Sequence, residues 1–290
     1  MPGFPGLFIV ASCAGGVSAT GVADRPAMAA TRHDAERAER LVATQHPVRG
    51  RLTGWAAGRD GPAAVAERAR QELVERSAAL RWWQKASALA VAPAPARTAF
   101  AAAGRAWPRQ DRRLEGLAML AGGGTPVLLA WSLMGPEPRA CLAMAAHSDV
   151  EIAAWSVRRE LCQMEFARAL LDRRAALGMC QPGDVAQRAG LARRDAALRG
   201  RLSEADLAAY APPVPHGPVA FKSMHMAAHL VIQAAWADGG GVAHARDRDC
   251  DCDCDHAPRH AHDRIADDDM AFVPEDIHET DRPRLSDLYV

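Results

Sequence analysis

Residues 148–178 read SDVEIAAWSVRRELCQMEFARALLDRRAALG, and their spacing predicts one long helix from Asp149 to about Leu177. Ser148 and Glu151 form an S-x-x-E capping box, in which the hydroxyl takes a first-turn amide and the carboxylate reaches back to the cap. Gly178 supplies the stop, because glycine enters the left-handed backbone that ends a helix at least cost. Inside, Val150, Val157, Met164 and Leu171 recur every seven residues, with Ala154, Leu161 and Ala175 in the second seam and Arg168 interrupting it. Phe166, Leu170 and Leu177 add a further stripe, so the apolar face is wider than a two-stranded coiled coil uses. That breadth predicts a position at the centre of a helical bundle.

A second long helix is predicted from Pro62 to about Ala90, with Asp60 near its cap, Pro62 in its first turn and Pro93 beyond its end. Ala66, Ala69, Leu73, Leu80 and Trp83 fall on one side of it, and Trp82 cannot share that side. Trp82 is therefore a candidate partner-facing residue, against the alternative of a second core contact. Between the two long helices, 112–121, 126–134 and 137–147 read as shorter helices, separated by Gly122-Gly123-Gly124 and Gly135-Pro136. The uncharged stretch 116–136 is too broken by glycine and proline for a membrane span. A last helix, about Val219 to Trp236, follows the Pro212-Pro213-Val214-Pro215 break and sets His225 and His229 one turn apart, without the Glu of an H-E-x-x-H zinc motif. Five Ile and two Tyr leave little strand-forming material. The expected fold is all-α: a multi-helix bundle over residues 31–238, with a disordered leader before it and a disordered acidic tail after it.

The composition supports a folded body, with 35 basic and 35 acidic residues among 290 and 49% hydrophobic residues. All basic residues except Lys85 and Lys222 are Arg, Asn is absent, and Trp outnumbers Phe. This is the signature of a GC-rich, bacterial genome, so arginine abundance is no evidence of nucleic-acid binding. Charge is placed unevenly. Residues 246–290 hold 14 acidic and 6 basic side chains, which leaves a basic body with an acidic tail. Seven cysteines, three of them crowded at alternate positions, do not form a secreted disulfide framework, and a reducing cytoplasm is the expected compartment. At the N-terminus, Val10-Ala11-Ser12-Cys13 resembles the lipobox of bacterial lipoproteins, yet the first basic residue is Arg25 and the charged start of an export signal is missing. Residues 1–30 are read as an unstructured leader, or as translation from an upstream start codon with the functional chain beginning near Met28.

Two segments carry candidate chemistry. Residues 247–262, DRDCDCDCDHAPRHAH, would present Cys250, Cys252 and Cys254 on one face of an extended chain, with His256, His260 and His262 beside them. Thiolate and imidazole donors of this kind suit Zn²⁺ or Cu(I). The competing origin is an expanded six-base repeat, since the Arg, Cys and His codons CGC, TGC and CAC differ by single bases. Residues 183–202, GDVAQRAGLARRDAALRGRL, resemble the helix-turn-helix of bacterial repressors, with Ala186 and Gly190 at the close crossing. The resemblance implies that Arg193, Arg194 and Arg199 face DNA. Beyond these, residues 239–273 read as a disordered low-complexity stretch. Pro274 to Val290 (PEDIHETDRPRLSDLYV) reads as a docking peptide presenting Ile277, Leu285, Leu288 and Tyr289 to a protein partner.

No G-x-S-x-G, H-E-x-x-H, G-x-G-x-x-G or G-x₄-G-K-[ST] occurs. The expected function is therefore a non-enzymatic bacterial scaffold or adaptor acting through protein contacts, for instance an accessory component of a secretion apparatus. A DNA-binding regulator using residues 183–202 and a metal-handling protein using the tail are the alternatives. No cofactor is expected apart from zinc or copper(I) in the tail.

Overall fold

A computed structural model of the chain describes residues 6–14, 17–46, 52–84, 87–108, 112–120, 124–134, 139–180, 182–203, 217–226 and 228–237. The fold is mixed α/β. In chain order the elements are β1 (Phe8–Ala14), β2 (Val17–Ala23), α1 (Pro26–Gln45), β3 (Thr53–Gly58), α2 (Pro62–Trp83), β4 (Ala90–Val91), α3 (Ala94–Ala106), β5 (Arg112–Leu120), β6 (Val127–Met134), β7 (Arg139–Ala146), α4 (Val150–Ala176), α5 (Pro182–Ser203), β8 (Val219–Met226) and β9 (His229–Trp236). All neighbouring strands are antiparallel, in three sheets ordered β1-β2, β3-β9-β8 and β4-β5-β6-β7.

The all-α expectation is thus overturned, and burial explains why. In β6, VLLAWSLM, Val127 and Leu129 enter one core with Leu73, Leu80 and Trp83 of α2. Leu128 and Ala130 enter another core with Ala153, Val157 and Leu161 of α4. A strand covered on both faces needs no polar alternation, so its sequence is a continuous apolar run with no period to distinguish it from a helix. The same division holds in β7, where Ala140, Leu142 and Met144 face α2 while Cys141, Ala143 and Ala145 face α4. The segment expected as a final helix is instead the β8-β9 hairpin, with Val231 in a core beside α1 and Ile232, Ala234 and Trp236 in the core of α2.

The two long helices are present, with exchanged roles. α2 lies between two sheets and buries Val65, Ala69, Leu73, Val74, Ala78, Trp82 and Trp83, so it is the central helix. Trp82, expected to face a partner, is 3% exposed and meets Trp83 edge to face at 5.8 Å. α4 covers the outer face of the β4–β7 sheet and leaves Ile152, Trp155 and Leu170 exposed. Its cap is Asp149, whose carboxylate accepts from the Glu151 and Ile152 amides at 2.8 and 3.3 Å, one residue later than the expected Ser148 box. Gly178 ends it with φ +67°, as expected. Arg168, which breaks the apolar seam, forms a bidentate ion pair with Asp195 of α5.

The expected leader is a hairpin. Leu7 and Val22 pack with Ala103, Trp107 and Cys162 on one side of it, and α1 covers the other. Gly21 and Gly54 decide how closely α1 and α2 approach their strands. A Cβ on Gly21 would lie 1.9 Å from the Ala29 carbonyl oxygen, and one on Gly54 would lie 2.0 Å from that of Ala69. Both contacts are with backbone, so only glycine fits.

Candidate functional site

The close approach at Gly21 and Gly54 brings together two copies of one pentapeptide. α1 carries Glu36-Arg37-Ala38-Glu39-Arg40 and α2 carries Glu72-Leu73-Val74-Glu75-Arg76, both E-x-x-E-R. Spacings of three and four residues set the two glutamates and the arginine of each copy on one helical face. Glu36 accepts from the Thr20 amide at 2.9 Å and from Arg40 Nε at 2.9 Å. Glu72 accepts from the Trp55 amide and from Arg76, whose other terminal nitrogen donates to the Thr53 carbonyl at 3.0 Å. Glu39 accepts from the Ala57 amide at 2.6 Å. Glu75 is bonded by the Ala146 amide of β7. Strand amides thus fix each carboxylate in place. Ser12 of β1 and Asp34 engage the two ring nitrogens of His33, at 2.7 and 3.1 Å, and tie β1 to α1.

α4 adds Arg159 and Glu160, and the charges interact across the three helices. Burial pushes Glu39 well above the usual carboxylate range, and the negative charges of Glu72 and Glu36 add to the effect. Burial does the same to Glu75, helped by Glu160 and Glu72. Glu160 is pushed up to about 7 by burial and by Glu72 and Glu36, against the pull of Arg159 and Arg32. Arg159 in turn is brought down to about 10 by burial and by Arg32 beside it. As whole residues all three glutamates are half-buried, with protein surrounding their carboxyl groups. Strongly perturbed acids of one sign, crowded together, mark a functional site better than a folding contact.

The donor set also identifies what it suits. Five carboxylates are hard oxygen ligands, which favour Mg²⁺ over soft metals. Among the described residues no three His, Cys, Asp or Glu side chains converge as a ready-made metal cage. Mg²⁺ does not require one, since it keeps waters and takes one or two carboxylates together with substrate phosphates. The residues therefore fit a cation that arrives with a phosphorylated ligand. By contrast, a groove between α3 and α4, lined by Ala94, Thr98, Ala102, Glu151 and Trp155 among others, offers a single charged side chain.

The comparisons agree with this chemistry. Residues 26–281 match the family model described as YcaO cyclodehydratase, binding ATP and Mg²⁺. The chain belongs to the YcaO cyclodehydratase family. The match spans α1, α2 and α4 and hence every glutamate of the cluster. Among solved structures, the chain is similar to YcaO from Methanopyrus kandleri bound with AMPPCP and Mg²⁺, at 14% identity and TM-score 0.48, over 81% of this chain and 82% of that one. It is also similar to the E. coli microcin synthetase McbBCD complex with pro-MccB17 bound, at 11% identity and TM-score 0.41, and to the same complex described without it, at 12% and 0.40. In both cases the likeness covers 67% of this chain and 55% of the synthetase chain. A search of curated proteins gives no match.

Membership of a YcaO family of ATP- and Mg²⁺-binding enzymes overturns the expected non-enzymatic scaffold, together with the DNA-binding and metal-handling alternatives. The segment likened to a helix-turn-helix is the single continuous helix α5, in which Arg194 is buried while Arg193 and Arg199 are exposed. His225 and His229 sit on neighbouring strands, paired with Leu230 and Met226, and not one turn apart on a helix. Cys250, Cys252, Cys254, His256, His260 and His262, like Ile277, Leu285, Leu288 and Tyr289, lie outside the described residues. No helix among the described residues is long and apolar enough to cross a membrane. The glutamate cluster escapes sequence reasoning because it matches no loop motif. Its only trace in the sequence is the repeated E-x-x-E-R, at 36–40 and 72–76, which emerges when the two helices are set against each other.

Proposed function

We propose that this chain is an ATP-consuming cyclodehydratase whose nucleotide and Mg²⁺ are held by Glu36, Glu39, Glu72, Glu75 and Glu160. The observation that carries the proposal is the doubled E-x-x-E-R, whose glutamates perturb one another across α1, α2 and α4.

Cyclodehydration closes a ring by adding a neighbouring nucleophile to an amide carbonyl and expelling the carbonyl oxygen. That oxygen is a poor leaving group. Bound ATP supplies a phosphoryl group that lets the oxygen depart as phosphate, with ADP as the second product. The chain's residues supply position and charge. Glu36 and Glu72, each fixed by a strand amide and an arginine, point one carboxylate edge in a constant direction. Glu39, Glu75 and Glu160 hold their protons more tightly than ordinary glutamates and must release them for a cation to bind. Half-burial lowers the local dielectric, which strengthens every contact to phosphate and cation.

Incubation of the purified chain with ATP, Mg²⁺ and amide-bearing peptides that contain Cys, Ser or Thr tests the proposal. A substrate that loses the mass of one water while ADP and phosphate appear in equal amounts supports it. ATP that is bound and never consumed, across a broad peptide library, contradicts it.

A further inference from the structure

Ser12, His33 and Asp34 form a chain of hydrogen bonds that the glutamate cluster does not use. Gly21 makes the chain possible. A Cβ there would lie 2.4 Å from the His33 amide nitrogen and 2.9 Å from the His33 Cβ, so glycine lets this turn of α1 press against the hairpin. That approach buries the His33 side chain. Phe8, Val10 and Ser12 alternate onto one face of β1, and Ser12 is the one that meets the ring. An ionised Asp accepts and does not donate, so Nδ1 carries the ring proton and donates to Asp34 Oδ1 at 3.1 Å. Nε2 is then the basic nitrogen, and the Ser12 hydroxyl donates to it at 2.7 Å.

Hydroxyl, imidazole and carboxylate, joined in that order, are the parts of a serine nucleophile with its base, and such a set is recognised by geometry and not by sequence order. The backbone adds a fourth part. The Thr20 amide donates to Glu36 and the Val22 carbonyl accepts from Arg32, so both residues of β2 turn their backbone groups away from β1. Their partners Ala11 and Ile9 turn theirs away from β2, and Cys13, two residues beyond Ala11, shares that direction. The Cys13 amide therefore points to the edge of β1 that no strand pairs, and among the described residues it donates to nothing. The amide of the residue after the nucleophile is a recurring donor to the oxygen that gains charge in acyl transfer.

We propose that Ser12 is an acyl-accepting nucleophile, activated by His33, at a second reaction centre separate from the nucleotide site. Its substrate class is short-chain carboxylic esters, because half-buried Val10 and exposed Phe8 extend the Ser12 face of β1 as an apolar track for the acyl group. Ser12 Oγ forms a bond to the ester carbonyl carbon while its proton passes to His33 Nε2 and the carbonyl oxygen turns toward the Cys13 amide. The carbon–oxygen bond to the alcohol then breaks, and the alcohol leaves with the proton from His33. Water hydrolyses the acyl-serine by the same steps, giving a proton to His33, releasing the carboxylic acid and restoring the Ser12 hydroxyl. Nothing is oxidised or reduced. Asp34 is a positioning residue: its side chain is 56% exposed, so it fixes the tautomer of His33 more than it stabilises the charged ring.

Treatment of the full chain with an alkyl fluorophosphonate, which modifies activated serines, and with p-nitrophenyl acetate tests the inference. The exposed Cys13 thiol also accepts acyl groups, so both reagents are applied to Cys13→Ala as well, which keeps the amide. The expected result is one phosphonyl adduct, mapped by peptide mass to Ser12 in both proteins, and a burst of p-nitrophenolate from Cys13→Ala. Ser12→Ala should lose both signals. His33→Gln, which keeps a polar side chain but no base, should slow labelling by at least about a hundredfold. Asp34→Asn should lower the limiting rate of labelling by about tenfold and leave the half-saturating reagent concentration unchanged, a split that a purely structural role would not give. Circular dichroism checks the fold of each variant, and where Ser12→Ala does not fold, the adduct mapped in the wild-type chain decides. No adduct on Ser12 of the folded chain, equal labelling of other serines, or a folded His33→Gln labelled at the wild-type rate would overturn the inference. ATP and Mg²⁺ are left out of the assay, so its outcome is independent of the glutamate site.

Discussion

Glu36 and Glu72 are held in the same way: each accepts from a strand amide, of Thr20 or Trp55, and from the arginine one turn ahead, Arg40 or Arg76. The two strands lie in different sheets, so the chain builds one arrangement twice and turns both copies toward shared charges on α4. Substituting Glu36→Gln or Glu72→Gln keeps shape and some hydrogen bonding but removes one negative charge. Mg²⁺-dependent ATP binding should weaken by about tenfold or more, with circular dichroism unchanged. Equilibrium dialysis measures the binding.

Gly54→Ala and Gly21→Ala place a methyl carbon far inside van der Waals contact with a backbone carbonyl oxygen, at 2.0 and 1.9 Å. Neither α2 nor α1 can retreat without disturbing its glutamates. Each substitution should cost about 3 kcal/mol or more in urea denaturation and lower nucleotide affinity with it. Gly183→Ala on α5, where nothing lies within 4 Å of the added carbon, is the control and should be neutral or stabilising by about 0.5–1 kcal/mol.

The raised carboxylates make the ligand-free protein less stable as pH rises. Glu160 releases its proton near 4.5 in the unfolded chain and near 7 in the folded one, and Glu39 and Glu75 shift the same way. Below about pH 4.5 both states are protonated and the shift has no effect. Between that value and about 7 the unfolded state ionises first, so stability drains away across this window and stays low above it. Melting temperatures measured from pH 5 to 8 should fall without ligand and fall less with Mg²⁺-ATP. A ligand-free melting point that rises over that range would contradict the assignment of these shifts.

A second polar cluster lies within the molecule. Glu165 is fully buried and accepts from Arg112 at 2.6 and 2.8 Å and from the Ser132 hydroxyl at 2.5 Å, where β5 and β6 meet α4. Glu165→Ala leaves Arg112 without its buried partner and should cost about 3–5 kcal/mol. Glu165→Gln keeps an acceptor and should cost less. Chemical denaturation of the two variants decides the order.

The two long helices were legible in the sequence and the strands were not, for physical reasons that particular residues show. α2 and α4 carry stops and starts that act locally: Pro62 in a first turn, Gly178 at φ +67°. Val127 to Ala130 carry no such sign, because a strand between two cores is apolar on both faces. The alanines of β7 add to the ambiguity, since alanine is a helix former and a GC-rich genome supplies it where valine or isoleucine would otherwise declare a strand. The site was hidden more deeply. Glu36, Glu39, Glu72, Glu75 and Glu160 each look like a solvated charge on a helix, and their relation exists only once Gly21 and Gly54 have drawn α1 and α2 onto their strands. Segments such as Cys250 to Cys254 stand out because they are unusual in composition, whereas the glutamates are ordinary in all but their repetition.

The claim on which everything else depends is that these glutamates, with Mg²⁺, bind ATP. Calorimetric titration of the full chain with ATP, in the presence of Mg²⁺ and again with EDTA, tests it most directly. The structure predicts saturable binding with Mg²⁺ that vanishes with EDTA and in the double variant Glu36→Gln, Glu72→Gln. Binding that is indifferent to Mg²⁺ and to both substitutions, or no binding by the folded wild-type chain, would contradict it.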